Sequence, residues 1–407
     1  FVVINNVIAQ DIQIFNITNT STFTSNNFKC IGIGKDGYIW AGTQYQGLYT
    51  YSPNTFSWSK SADLTNVFIN DIKTDKNGGI WIAQSGLSGG GSTASNSAGG
   101  VNYYSGPFAS TQFYSFTPTG GLASRNARAI WIDTSRFNTT VDYPRVWAVQ
   151  QSFITGSETK AGGISSGLNV STPSFSNVTN GLQVTPFVTP INARTPSCIS
   201  IGGDKNEMWV GTIQNFSKSQ ILRYQPSSQG GTFLGAYDNT NVAALPAGFR
   251  ANAIYFDNEG RQWVGLSNGG VVVKNGAFWK SVNMAPVFTP GAVVNLCAIT
   301  GDDIGNIYIG TSAGLIVYSG GAVDSVSSYQ LYTTSDGMPS NNITHLAYDN
   351  KKARLLIASD AGVAFWSKKK KIDVELVWDN SFPAQSIKPK GVAADGVSRL
   401  YFKVKRG

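Results

Sequence analysis

The chain has 407 residues, of which 13% are charged, 12% aromatic and 45 glycine. A single hydrophobic core stops growing near ~250–300 residues, so the length requires either two domains or a repeat, and the composition excludes a long-helix or coiled-coil protein. The net charge of +8 is not a nucleic-acid footprint, because the last 40 residues carry +6 of it and the first 367 only +2.

Residues 1–10, FVVINNVIAQ, read equally well as the remnant of a signal peptide ending in the small Ala9 or as an added strand. Residues 11–33, DIQIFNITNTSTFTSNNFKCIGI, read as a strand and a connector into a first repeat unit. From there one phrase returns. IWAGT (39–43) is followed by IWIAQ (80–84), VWAVQ (146–150), MWVGT (208–212), QWVGL (262–266), IYIGT (307–311) and LLIAS (355–359). The anchors are Trp40, Trp81, Trp147, Trp209, Trp263, Tyr308 and Leu356, spaced on average about 53 residues apart, in the range of propeller blades and solenoid repeats.

Each unit carries four strand signals. An apolar run ends at a polar turn, as in AIYFDNEGR (253–261), and the anchor strand follows. A Gly-containing connection leads to a third strand such as GLYTY (47–51) or GLIVY (314–318), and a variable fourth strand carries an aromatic, as in FSWSK (56–60), FYSFT (113–117) or YQLYT (329–333). The anchor strand is apolar on both faces: Ile39 and Ala41 point one way, Trp40 and Gly42 the other. A strand buried on both faces needs a layer on each side, and a four-stranded sheet between two neighbours is a propeller blade. The large aromatic fills the gap between blades and the following glycine leaves room.

Seven anchors predict an all-β, seven-bladed β-propeller of four-stranded blades over residues 11–367. The seventh unit stops after GVAFW (362–366) without a fourth strand, while 11–33 supplies a fourth strand without the first three. The two halves complement each other, so the N-terminal strand is expected to close the ring. The three cysteines, Cys30, Cys198 and Cys297, fall at nearly equivalent places on different units and give no disulfide framework. With a single histidine, they supply no metal-ligand cluster. No run of ~18 apolar residues crosses a membrane.

TSDGMPSNNITHLAYD (334–349), DNEGRQWVGLSNGGVVV (257–273) and GNIYIGTSAGLIVY (305–318) resemble the two-component-regulator propeller repeat, over about residues 11–366 and most strongly in units 1, 5, 6 and 7. That family includes periplasmic sensor regions of hybrid histidine kinases and secreted or surface proteins of Gram-negative bacteria, one of them in the type IX secretion attachment complex. The resemblance implies an extracytoplasmic recognition domain, secreted or at the cell surface. After a basic linker at Lys368–Lys371, residues 372–407 carry strand signals in IDVELVW (372–378) and GVSRLYFKVKR (396–406). KGVAADGVSRLYFKV (390–404) resembles the opening of an invasin-type immunoglobulin-like module, too short here for a sandwich of ~100 residues. Further domains of the same polypeptide are expected after Gly407.

Candidate binding residues lie on the connections between second and third strands. Insertions lengthen these in unit 2 (83–100), unit 3 (149–163) and, slightly, unit 4 (211–220), raising one side of a rim. Tyr45, Phe153 and Phe216 are aromatics of these connections that could stack on a sugar or a peptide. For catalysis, His345 lies on the first strand of unit 7 near the channel, without a second histidine or a carboxylate cluster beside it in the sequence. The antibiotic lyases with seven-bladed propellers resemble the repeat loosely in D-G-x-I-W and use histidine with bound magnesium. Asp302 and Asp303 read as turn residues. No nucleophile motif, phosphate loop, zinc spacing or cofactor motif is present.

The chain therefore reads as a non-enzymatic extracellular recognition or scaffold propeller of a modular, adhesin-like surface protein. It is expected to bind a protein or glycan through loops of blades 2–4, with no nucleic-acid partner, metal or cofactor. Two alternatives stay open: the ligand-sensing extracytoplasmic region of a receptor, and a lyase-like propeller enzyme using His345.

Overall fold

The computed structural model describes residues 11–64, 68–75, 78–85, 99–105, 113–116, 121–133, 146–151, 153–155, 158–160, 163–167, 175–177, 195–203, 205–213, 219–227, 230–268, 270–282, 285–367, 389–394 and 400–404. Seven four-stranded antiparallel sheets follow one another along residues 10–368, which form one compact unit. Six are continuous in sequence. The seventh takes its first three strands from Ile343–Asp349, Arg354–Ser359 and Gly362–Ser367, and its fourth from Asp11–Phe15. That strand runs antiparallel to Gly362–Ser367, with Ile12 opposite Trp366 and Phe15 opposite Val363. The expected seven-bladed ring and its closure by the N-terminal strand are therefore both present.

The core is divided among the blade interfaces. Among the described residues seven apolar clusters occur, one for each pair of adjacent blades. Each anchor faces the following blade: Trp40 packs with Ile69 and Ile72 of blade 2, Trp263 with Val294 and Ile299 of blade 6. The opposite face of the blade 1 anchor strand, Ile39 and Ala41, packs with Leu356, Ala358 and Phe365 of blade 7. Phe15 completes that last interface, with ring centroids 5.5 Å from Tyr51, 5.6 Å from Trp58 and 4.9 Å from Phe365.

In blades 2, 5 and 6 the polar turn before the anchor is a clamp. Asp257 accepts the Arg261 amide at 2.8 Å and the Trp263 Nε1 at 2.7 Å. Asp302 does the same with the Asn306 amide and the Tyr308 hydroxyl, both at 2.8 Å, and Asp75 with the Gly79 amide and Trp81 Nε1, both at 2.9 Å. One carboxylate thus fixes the turn and the orientation of the large anchor ring, as turn chemistry predicts for Asp302.

A second device recurs in the inner strands. All seven carry a register shift near their start, at Lys29, Asn70, Arg128, Ser197, Asn252 and Thr344 and, in blade 6, over 295–298 beginning at Asn295. Five of these side chains donate to the carbonyl of the residue before the bulge in the next blade. Asn70 reaches Ala127 at 2.6 Å, Ser197 reaches Ala251 at 2.5 Å and Asn252 reaches Val294 at 2.8 Å. Asn295 reaches Ile343 and Thr344 reaches Phe28, both at 2.7 Å. In blades 4, 5 and 6 the glycine two residues after the anchor makes this approach possible. A Cβ on Gly211 would lie 2.6 Å from Cys198 Sγ and 2.9 Å from the Ala251 carbonyl oxygen, and one on Gly265 would meet Val294. Cys30, Cys198 and Cys297 are unpaired, and the first two are buried beside such glycines.

The insertion in blade 3, expected as a loop, includes a small hairpin of its own, Phe153–Thr155 with Glu158–Lys160. The greater part of the blade 2 insertion, 86–98, lies outside the described residues. In a separate unit, Pro389–Ala394 pairs antiparallel with Leu400–Val404. The strand expected at 372–378 lies outside the described residues.

Two outcomes follow. Deleting residues 1–20 removes a five-residue ladder at ~0.5–1.5 kcal/mol per net hydrogen bond and the burial of Phe15. A clear fall in melting temperature with aggregation on light scattering is expected, and an unchanged melt would contradict the closure. Gly211→Ala presses a methyl onto the blade 5 backbone and should cost about 1–3 kcal/mol in a denaturant titration, with a neutral result contradicting the close approach.

Candidate functional site

One further residue of the inner strand follows the register shift directly and lies close to the neighbouring blade. After the bulge, blades 1, 3, 4 and 5 place the small residues Cys30, Ala129, Cys198 and Ala253. Blades 2 and 7 instead place Asp71 and His345. These two depart from the repeat and bond to each other: His345 Nε2 lies 3.1 Å from Asp71 Oδ1, and the residues are 0–1% exposed. The Ile31 amide of blade 1 donates to His345 Nδ1 at 3.4 Å, which assigns the imidazole proton to Nε2. Asp71 Oδ1 also accepts from Lys73 Nζ at 2.9 Å, and Oδ2 accepts the Ile130 amide of blade 3 at 2.9 Å. One cluster therefore ties blades 7, 1, 2 and 3 together across the axis. Lys73 keeps 28% of its side chain accessible although the inner strands enclose it, so it borders the channel lumen.

Burial lowers the His345 pKa from its ordinary value near 6.5, and the charge of Lys73 adds to this, outweighing the pull of Asp71. Burial alone would raise the Asp71 pKa, but Lys73 and then His345 hold its carboxyl well below the usual carboxylate range. At neutral pH the cluster is thus a neutral imidazole donating to a lysine-paired carboxylate. The sequence gives no sign of a carboxylate beside His345, and the structure corrects this: Asp71 is its partner. Aligning the seven inner strands on their bulges exposes both residues as polar exceptions among Cys and Ala.

Closer to the start of the inner strands a cavity of about 180 Å³ opens at the channel mouth. It is lined by the bulge residues Lys29, Asn70, Arg128, Asn295 and Thr344, with Phe68 and Leu296 between them. Phe68 leads outward to the rim. Its ring stands edge-on to Tyr45 at 6.1 Å, and Tyr45 is 44% exposed on the connection between the second and third strands of blade 1. Of the expected rim aromatics, Tyr45 therefore adjoins the cavity. Phe153 begins the inserted hairpin of blade 3, and Phe216 lies outside the described residues. Among the described residues no group of three or more His, Cys, Asp or Glu is placed to hold a metal ion. No described helix is long and apolar enough to cross a membrane.

The chain matches no family model and no curated protein. Its fold is shared with solved structures. The extracellular domain of BT4673 from B. thetaiotaomicron, described as a one-component or hybrid two-component system, is 17% identical over 96% of this chain, with a TM-score of 0.59. The match covers 46% of that domain, so this chain spans less than half of its length. Virginiamycin B lyase from Staphylococcus aureus is 12% identical over 88% of this chain and 99% of the lyase, with a TM-score of 0.55. YCF48 bound to a D1 peptide is 11% identical over 90% of this chain and 97% of its own, also at 0.55. At these identities the likeness is one of fold.

The His345 pKa is lowered on folding, so its contribution to stability is complete above the unfolded value near 6.5 and is lost as the pH falls below it. The melting temperature should drop between pH 7.5 and 5. In His345→Gln, whose amide donates to Asp71 at any pH, that drop should shrink. Equal slopes in the two proteins would contradict the buried neutral imidazole.

Proposed function

We propose that the chain is a non-enzymatic, extracytoplasmic ligand-recognition propeller that takes its ligand at the channel mouth, in the manner of the sensing region of a receptor. The observation that carries this reading is the contrast between two polar groups. The mouth cavity is open and bounded by donors and by an aromatic path to the rim. The His345–Asp71 pair, which general acid–base chemistry would need, is sealed from solvent. The extracellular placement of BT4673 supports the location. A surface protein presenting the ring to a protein or glycan, with Tyr45, Phe153 and Phe216 on a raised rim, is a variant of the same reading. On that variant the hairpin at 389–404 would open an immunoglobulin-like module after a linker at 368–371.

One observation favours a second reading, a lyase-like enzyme: the histidine is hydrogen-bonded to a carboxylate on a fold shared with virginiamycin B lyase. A single experiment separates the two. A panel of small metabolites, saccharides and peptides is screened by thermal shift, and each hit is recovered and identified by mass spectrometry. Recognition at the mouth requires a hit returned chemically unchanged, with binding roughly tenfold weaker in Tyr45→Ala, the loss of one aromatic contact. A hit consumed in wild type and spared in His345→Gln would establish the enzyme instead. Hits indifferent to Tyr45→Ala would contradict the mouth as the site.

A further inference from the structure

Five of the seven bulge side chains are engaged with the next blade, and the two exceptions are the two cations, Lys29 and Arg128. In blade 1 the carbonyl of Ile69 is approached not by Lys29 but by Cys30 Sγ, at 3.7 Å. In blade 3 Arg128 turns back toward Asn70 Oδ1, at 3.5 Å the outer limit of a hydrogen bond, and its Nε is buried without a partner. Both side chains are thus released from the device that holds the ring, and both line the mouth cavity.

Among the described residues neither cation has an ion-pair partner. Burial lowers the Arg128 pKa, and the one group that opposes this is Cys297, which burial itself holds as a neutral thiol. Burial likewise lowers the Lys29 pKa and outweighs the favourable charge of Asp360. Asp360 is moreover engaged by Ser340 Oγ at 2.5 Å and Asn342 Nδ2 at 3.0 Å. Deeper in the channel the third cation, Lys73, has Asp71. The mouth therefore holds two half-desolvated positive charges with unused donors, a costly arrangement unless something anionic fills it.

Building on the reading of the mouth as a ligand site, we infer that its ligand is a small organic oxyanion, a carboxylate or phosphate ester, held between Lys29 and Arg128. The guanidinium fork matches the paired oxygens of such a group. Phe68 and Leu296 supply an apolar wall for its carbon skeleton, and Tyr45 extends that surface from Phe68 toward the rim. The cavity has room for about six waters at ~30 Å³ each, which suits one anionic group and its adjoining ring. A polyanion would need a basic surface beyond the mouth, and the first 367 residues carry a net charge of only +2.

Isothermal titration of the 407-residue chain with succinate, glucuronate, inorganic phosphate, glucose 6-phosphate and glucose tests this. At least one oxyanion should bind with 1:1 stoichiometry and glucose should not. The carboxylate and phosphate arms identify which group is preferred. Lys29→Met and Arg128→Met should each weaken binding about tenfold or more, the loss of one charge-assisted bond. Melting curves without ligand confirm that the variants fold, and Lys29, half-exposed, is the safer of the two. Failure of every oxyanion to bind, or binding undiminished in both variants, overturns the inference. If glucose binds instead and the binding is lost in Tyr45→Ala, the mouth remains the site and only its anion preference falls.

Discussion

Two-sided burial is the constraint on which this molecule rests. Each anchor strand is apolar on both faces, so no blade is stable as an end piece, and only a closed ring gives every blade two neighbours. Pairing of Asp11–Phe15 with Gly362–Ser367 supplies that closure between segments some 350 positions apart. Without it, the cluster that joins Ile39 and Ala41 to Leu356, Ala358 and Phe365 would open to water. A chain whose first strand waits for its last sheet has its decisive contact at the highest sequence separation available, and such contacts form late.

Closure alone leaves the blades free to slide, and the bulges address this. In five inner strands a polar residue at the bulge locks its blade to the next, and in blades 4, 5 and 6 the post-anchor glycine lets the two backbones approach. Chemistry enters where the pattern is broken. Small residues after the bulge give way to Asp71 and His345, which brace the ring across its axis. Short polar bulge residues give way to Lys29 and Arg128, whose charges are left to the cavity. Departures from a repeat that stabilise nothing visible are where function is to be sought.

The fold was legible because its signals are local and repeated. Trp40 and its six equivalents, the polar turns before them and the glycine after four of them each follow from strand and turn chemistry within a few residues, and the missing fourth strand of unit 7 is matched by the strand signal within residues 11–33. The site was not legible in the same way. Asp71 and His345 are 274 positions apart and meet only across a ring. Lys29 and Arg128 stand out only once the other five bulge side chains are seen to be engaged with the next blade. Tyr45 was visible as a rim aromatic, but its contact with Phe68, and so with the mouth, depends on how blades 1 and 2 are set side by side. The hairpin within the blade 3 insertion was likewise hidden, because its two paired strands are three residues each.

The register of the closing strand offers the most direct test of the whole arrangement. Asp11 stands opposite Ser367, so cysteines placed at these two positions should oxidise to an intramolecular disulfide, found by peptide mapping in a monomeric chain. Recovery of that 11–367 link, with the melting temperature raised under oxidising conditions, is the predicted result. Free thiols, or links formed only between separate chains, would show that the ring is not closed by its own beginning.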